Sequence, residues 1–176
     1  FFPLGVFMDA GVAKDMAELM ELSFRDYWRM ALEDIARHHH NAVILEGMAR
    51  LSSTEWREVL GLAQAYGLRI VASHEWTPEE IAERGLGLVE EHILPYADSE
   101  AILGWAIADE PAQHTFQMHM DMRAMIEEAD PHHPLTAMMR EPNSFPLFAP
   151  HLAATGFSYF TSNAAWELGE LVRTHH

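Results

Sequence analysis

The chain has 176 residues, 49% of them hydrophobic, which is the length and composition of a single folded domain and not of a disordered segment. Its 27 acidic and 11 basic residues give a net charge of −16, which repels phosphate backbones and anionic lipid headgroups and so argues against nucleic-acid and membrane partners. With no cysteine, disulfides and thiolate chemistry are excluded.

Six short apolar runs predict β-strands that are buried on both faces. Each run is followed by acidic or polar residues, a layout that places reactive side chains at the carboxyl ends of parallel strands. The predicted strands cover residues 4–8, 42–45, 68–72, 102–108, 135–139 and 157–160.

Helical patterns fill the intervals between these runs. Ser23, Ser52 and Thr77 stand where an N-cap belongs, and the last two are followed three residues later by a glutamate that completes a capping box. The predicted helices cover residues 24–38, 53–66, 78–94, 115–129, 146–154 and 164–173.

The alternation of strand and helix predicts a parallel sheet with right-handed crossovers. An open doubly wound sheet and a barrel both fit this order, but no glycine-rich phosphate loop follows the first strand, and polar residues follow every strand. We therefore predict an α/β fold of the (β/α) TIM-barrel type, reduced to about six of roughly eight units. Residues 1–176 are expected to form one domain that lacks the last units.

The most informative segment is residues 104–111, Gly-Trp-Ala-Ile-Ala-Asp-Glu-Pro, in which a strand ends in two carboxylates and a proline. It resembles the fourth strand of clan A glycoside hydrolases, which are retaining (β/α)8-barrel enzymes. Residues 2–7 and 27–43 are similar to the opening strand of such enzymes and to their first helix leading into strand two. The resemblance extends from about residue 2 to residue 163.

This resemblance implies that Glu110 is the general acid/base of retaining glycoside hydrolysis. Asp109 takes the position at which the clan usually has an asparagine that contacts the sugar 2-hydroxyl. The clan's nucleophile is a glutamate at the end of strand seven, and no seventh strand is found in this sequence. From the residues alone, Pro111 favours an extended backbone at Glu110, and a plain helix cap is the structural alternative for that side chain.

Other residues at strand ends are candidates for sugar binding. Trp76 could stack on a pyranose face, and carboxylate or amide groups could hydrogen-bond hydroxyls. Each also has a structural alternative as a loop charge, a turn former or a hydrophobic lead-in to a helix. The predicted substrate-binding residues are Asp9, Glu46, His74, Glu75, Trp76, Asp109 and Asn163.

Three adjacent histidines, His38, His39 and His40, suggest a metal site, but they precede a strand and so lie at the end of a barrel opposite the chemistry. They also lack the convergent spacing of zinc ligands, and we interpret them as structural. We expect no metal and no cofactor.

The leading functional prediction is a glycosidase acting on a carbohydrate substrate. One alternative is a non-catalytic carbohydrate-binding or assembly module, and another is a lyase or isomerase that depends on a divalent metal held by acids at strand ends. The sheet edges left by the missing units predict a homo-oligomer. For its location, an extracellular or periplasmic protein is favoured.

Overall fold

A computed structural model of the protein describes residues 3–74, 76–140 and 143–157. Within that range six parallel strands alternate with helices and form one curled sheet, a half-barrel, in the order β1-β2-β3-β4-β5-β6. The strands are β1 Gly5–Asp9, β2 Ala42–Glu46, β3 Arg69–Ser73, β4 Ile102–Asp109, β5 Leu135–Met139 and β6 Ala154–Phe157. The predicted fold class, a partial α/β barrel, is confirmed.

Seven α-helices are described, together with four short 3-10 helices. The α-helices are α1 Ala10–Leu19, α2 Phe24–Arg37, α3 Ser53–Ala65, α4 Pro78–Arg84, α5 Leu86–His92, α6 Phe116–Ala129 and α7 Phe145–Phe148. The 3-10 helices are Met48–Arg50, Leu94–Tyr96, Gln113–Thr115 and Ala149–His151. Among the described residues, no helix is both long and apolar enough to cross a membrane.

The predicted caps are present. Ser23 accepts from the amide of Asp26 at the start of α2, and reciprocal capping boxes start α3 at Ser52 and α4 at Thr77. Each such cap satisfies backbone donors that a helix start leaves without partners, which is why local sequence located these starts.

Burial alternates along the sheet and separates its two faces. In β5 the side chains of Leu135, Ala137 and Met139 are buried beneath the helices, whereas Thr136 and Met138 lie on the concave face and are partly exposed. Register extends this pattern across the sheet: Asp109 pairs with Met138 and so shares the concave face with it.

The helix-facing side carries the core. Trp105 on β4 is 1% exposed. Its indole Nε1 donates to Asp130, the residue that follows α6, at 2.8 Å. Next to it, a Cβ added to Gly104 would lie 2.5 Å from the carbonyl oxygen of Pro134, so only glycine allows β4 and the start of β5 to approach this closely.

Three predicted elements were wrong in extent. The sixth strand begins at Ala154, three residues earlier than predicted, and the preceding helix ends before Ala154 because α7 is only four residues long. The long helix after Thr77 is divided at Gly85, whose φ of 38° breaks the helical backbone. The predicted helix 164–173 lies outside the described residues.

One helix, α1, was not predicted. Its buried face consists of small residues, Ala10, Ala13 and Ala17, which give a weak hydrophobic pattern. Its start is fixed by Asp9, whose Oδ1 accepts from the amide of Val12 at 2.7 Å.

The open side of the sheet beside β1 exposes apolar side chains. Six of the nine large hydrophobic residues that are exposed in the described part of the chain belong to residues 4–20. They are Leu4, Phe7, Val12, Met16, Leu19 and Met20. An edge strand with such neighbours is consistent with association, and the homo-oligomer stays a prediction.

Candidate functional site

The carboxyl ends of β1 and β2 bring two predicted site residues together. Asp9 and Glu46 are paired in register on adjacent strands, so their side chains leave the same face of the sheet. Glu46 is only 7% exposed, and Asp9 caps α1 as described above. Asp9 therefore has a structural role at this edge, and sugar binding by either residue stays a prediction.

Glu110 occupies an unusual backbone conformation at the end of β4. Its φ is 44°, in the left-handed region, and its amide donates to the carbonyl of Met138 at 2.8 Å. The extended backbone predicted from Pro111 was therefore wrong: the hydrogen bond to β5 and the turn into the buried Pro111 override the local preference. A non-glycine residue held there costs about 1–2 kcal/mol, and such strain concentrates at functional sites.

The Glu110 side chain contacts one cation. Its Oε2 lies 3.4 Å from Nη1 of Arg140, which follows β5, and the two side chains are 25% and 63% exposed. At that distance and exposure the pair is weak and screened by solvent. Glu110 is thus held at the strand ends by its backbone more than by this contact.

His74, at the end of β3, is buried behind the sheet and does not reach the concave face. Its ring stacks on the indole of Trp76 with centroids 4.8 Å apart and planes 8° from parallel. Trp105 stacks 6.1 Å away and His92 lies tilted at 5.3 Å. His74 therefore supports Trp76 from beneath, and direct sugar binding by it stays a prediction.

Burial controls the protonation of His74. Loss of hydration, and then the positive charge that His92 can carry, lower the pKa of His74 from 6.5 to about 3. Neither ring nitrogen has a hydrogen-bond partner in the described part of the chain. The ring is therefore neutral at ordinary pH.

A cleft of about 300 Å³ opens where β4 ends, between the start of α4 and the start of α6. It joins two predicted site residues, Trp76 and Asp109, because one follows β3 and the other ends the adjacent strand β4. Its lining is Trp76, Pro78, Ile107, Ala108, Asp109, Pro111, Ala112, Thr115, Met118 and His119. The cleft combines apolar walls with a few polar groups, as small-molecule sites do.

His119 is the site residue that sequence reasoning missed. It is 8% exposed and lies on the buried face of α6 with Met122 and Ile126. That spacing of three and seven residues was a usable signal for an inward-facing histidine. Burial lowers the pKa of His119, and a hydrogen bond to the backbone of Ile107 opposes this in part.

Two predicted site residues, Glu75 and Asn163, lie outside the described residues.

The described residues contain no cluster of three or more histidine, aspartate or glutamate side chains that could hold a metal ion. The lyase or isomerase alternative therefore receives no support from Asp9, Glu46, His74 and Asp109.

The comparisons with known proteins agree on the fold. No protein-family model and no curated protein matches the chain. Among solved structures, the FMN-binding β-glucuronidase from Facaelibacterium prausnitzii L2-6 superposes with a TM-score of 0.72 at 15% identity, over 99% of this chain and 29% of that one. The chain therefore shares its fold with the part of this enzyme that it covers.

Two further structures support the same statement. A GH2 β-galacturonidase from Eisenbergiella tayi, bound to galacturonate, gives a TM-score of 0.64 at 10% identity over 96% of this chain and 31% of that one. A glycoside hydrolase gives 0.59 at 16% identity over 81% and 37%. The chain thus spans about a third of the length of the solved glycosidases that it resembles, and the likeness is one of fold.

Proposed function

We propose that the chain is the part of a retaining glycoside hydrolase that binds the sugar and supplies the general acid/base, Glu110. The observation that carries this proposal is the strained, left-handed backbone of Glu110 at the carboxyl end of β4. That position, in a fold shared with glycosidases, is where barrel enzymes carry catalytic side chains. The neighbouring cleft with Trp76 and Asp109 supports a carbohydrate as the substrate.

The chemistry requires Glu110 to give a proton to the oxygen of the departing group and later to take one from water. The guanidinium of Arg140 attracts a carboxylate more strongly than a neutral carboxyl group, so the 3.4 Å contact weakens when Glu110 carries a proton. Because Arg140 is exposed and the contact is long, this weakening costs little.

Retaining hydrolysis also needs a nucleophilic carboxylate about 5–5.5 Å from the acid/base. The resemblance places this nucleophile at the end of a seventh strand, and the described residues form six strands. The proposal therefore takes the nucleophile from outside the described residues.

The test is the turnover of aryl glycosides by Glu110→Gln, with Glu128→Gln on the exposed face of α6 as the matched control. A general acid assists poor leaving groups most, so the variant should lose about 10²- to 10⁴-fold on phenyl glycosides and much less on dinitrophenyl glycosides. The control should match the parent on both. An equal loss on both substrates, or no loss, would place the acid elsewhere.

A second function, sugar binding without hydrolysis, is favoured by one observation. Among the described residues, Asp109 is the only carboxylate in the lining of the cleft, whereas hydrolysis needs two carboxyl groups. Binding of methyl glycosides by a chain that turns over no aryl glycoside would establish this function in place of the first.

A further inference from the structure

Helix α1 buries its small side chains and exposes its large ones. Its three buried alanines are at most 4% exposed, whereas four large apolar side chains of the helix and its C-cap are 37–76% exposed. These four are Val12, Met16, Leu19 and Met20, here called the α1 stripe. Folding favours burial of large apolar side chains, because they remove the most area from water. A cluster of them left outside indicates a surface that another molecule covers.

The α1 stripe forms one continuous face of the helix. Positions 12, 16, 19 and 20 follow the spacing i, i+4, i+7 and i+8, so at 3.6 residues per turn they lie within an arc of about 100°. The buried alanines occupy the neighbouring arc on the side of the core. Helix α1 therefore has a second apolar face of the width that helices use to pack against one another.

Three carboxylates border the α1 stripe. Asp15 and Glu18 lie on the flank away from the alanines and Glu21 lies just beyond the C-cap, and all three residues are exposed. Within the described part of the chain, none of the three forms an ion pair. The basic residue of α1, Lys14, is bound to Glu55 of α3 at 2.9 Å.

Other long helices supply acids on their surface with basic partners. In α2, Arg37 pairs with Glu33, and in α6, Arg123 pairs with Glu127. Helix α1 differs in two respects at once, since its apolar stripe is uncovered and the acids beside it have no cation. Both features point to a partner that carries apolar side chains and positive charge.

The same charge argues against other occupants. Two copies of the chain that met through this surface would bring two sets of acids together, and each copy carries a net charge of −16. Anionic lipid headgroups are repelled in the same way. Residues 158–176 of the chain contain two glutamates and one arginine, so they offer no net positive charge when their histidines are neutral.

We propose that the α1 stripe and its flanking acids are the docking surface for a basic amphipathic helix of another protein chain. Apolar residues of that helix, spaced three or four apart, pack on the α1 stripe, and its lysine or arginine side chains pair with Asp15 and Glu18. The first strand and helix of the fold lie three strands from β4 and Glu110, so docking is a separate property from catalysis.

The test uses the full chain and a synthetic peptide as the probe. The peptide has about 18 residues, with leucines along one helical face and lysines elsewhere, a length that can form a helix. One control peptide has glutamate in place of lysine, and the other has the residues of the probe in scrambled order. Fluorescence anisotropy of the labelled peptides measures Kd. We expect the probe to bind at least about ten-fold more tightly than either control, and added salt to weaken its binding.

Substitutions on α1 locate the binding. Met16→Gln and Leu19→Gln should each weaken it about five-fold by removing apolar contacts, whereas Leu86→Gln, at an exposed leucine of α5, should leave it unchanged. Glu18→Lys should weaken it about three-fold, and Glu128→Lys on α6, with the same change of charge, should weaken it less. Because these side chains are exposed, the variants should fold like the parent, which circular dichroism checks.

The proposal is overturned if the probe does not bind, if the scrambled peptide binds as tightly, or if Leu19→Gln and Leu86→Gln bind the probe alike. Sedimentation and vesicle flotation test the two other occupants. A dimer of the parent that Leu19→Gln dissociates would assign the surface to a second copy of the chain. Binding to phosphatidylglycerol vesicles that Leu19→Gln abolishes would assign it to a membrane. Either result refutes a helical protein partner.

Discussion

Lowering the pH should destabilise the fold through His74. In the folded chain the pKa of His74 is lowered to about 3 by burial and by neighbouring His92, whereas an exposed histidine titrates near 6.5. Below pH 6.5 the unfolded state therefore binds a proton that the folded state does not. Unfolding becomes easier as the pH falls, and the stability contributed by the neutral ring is complete only above pH 6.5.

The size of the effect follows from linkage. Between pH 6.5 and about 3 the slope approaches 1.4 kcal/mol per pH unit for one such group, so the step from pH 7 to pH 5 costs about 2 kcal/mol. Burial also lowers the pKa of His92 and of His119, which act in the same direction. The carboxyl groups with lowered pKa values titrate below this window, so histidines dominate it.

The assay is urea unfolding at pH 7, 6 and 5, followed by circular dichroism, for the parent, for His74→Phe and for His132→Gln. Phenylalanine keeps a flat ring against Trp76 and has no nitrogen to protonate, so the variant should lose about 2 kcal/mol less than the parent over this range. His132 is exposed, and its variant should follow the parent. If His74→Phe shows the same pH dependence as the parent, or if NMR finds His74 titrating near pH 6.5, the reasoning fails.

Four other substitutions test the packing and the strain. Gly104→Ala should lower the free energy of unfolding by about 1–3 kcal/mol, because its Cβ would lie 2.5 Å from a backbone oxygen. Gly61→Ala in α3, which has nothing within 4 Å, should raise the free energy of unfolding by about 0.5–1 kcal/mol. Equal effects of the two substitutions in urea unfolding would refute the close approach. Asp130→Asn should cost about 1–3 kcal/mol, since it weakens the bonds from Trp105 and from neighbouring histidines, and an unchanged unfolding midpoint would contradict this. Glu110→Asn should raise stability by about 0.5–1 kcal/mol, because asparagine tolerates positive φ, while abolishing turnover; a loss of stability would mean that the backbone there is not strained.

Local signals located the starts of α2, α3 and α4, because a cap depends on residues three positions apart. They failed where long-range packing decided the outcome. The strand at Ala154 forms by pairing with β5, and the helix α1 forms by burying its small residues, and neither has a strong pattern of its own. The helix break at Gly85 was only partly predictable. The sequence shows the glycine, but it does not show the positive φ that breaks the helix.

The same division holds for the candidate site. The sequence pointed to Trp76, Asp109 and Glu110 because each follows an apolar run, but only the pairing of β3 with β4 places Trp76 and Asp109 in one cleft. The sequence could not show that His74 lies on the helix-facing side of the sheet, since the face on which a strand residue lies depends on the register of the strands.

By itself, the amino-acid sequence determined the order of the six strands, the caps of α2, α3 and α4 and the acidic ends of the strands, because these depend on contacts between near neighbours along the chain. The tertiary structure decided which strand-end side chains meet, why the Glu110 backbone is left-handed, and that His119 enters the cleft. Those features depend on hydrogen bonds and packing between segments that are distant in sequence, such as the amide of Glu110 and the carbonyl of Met138.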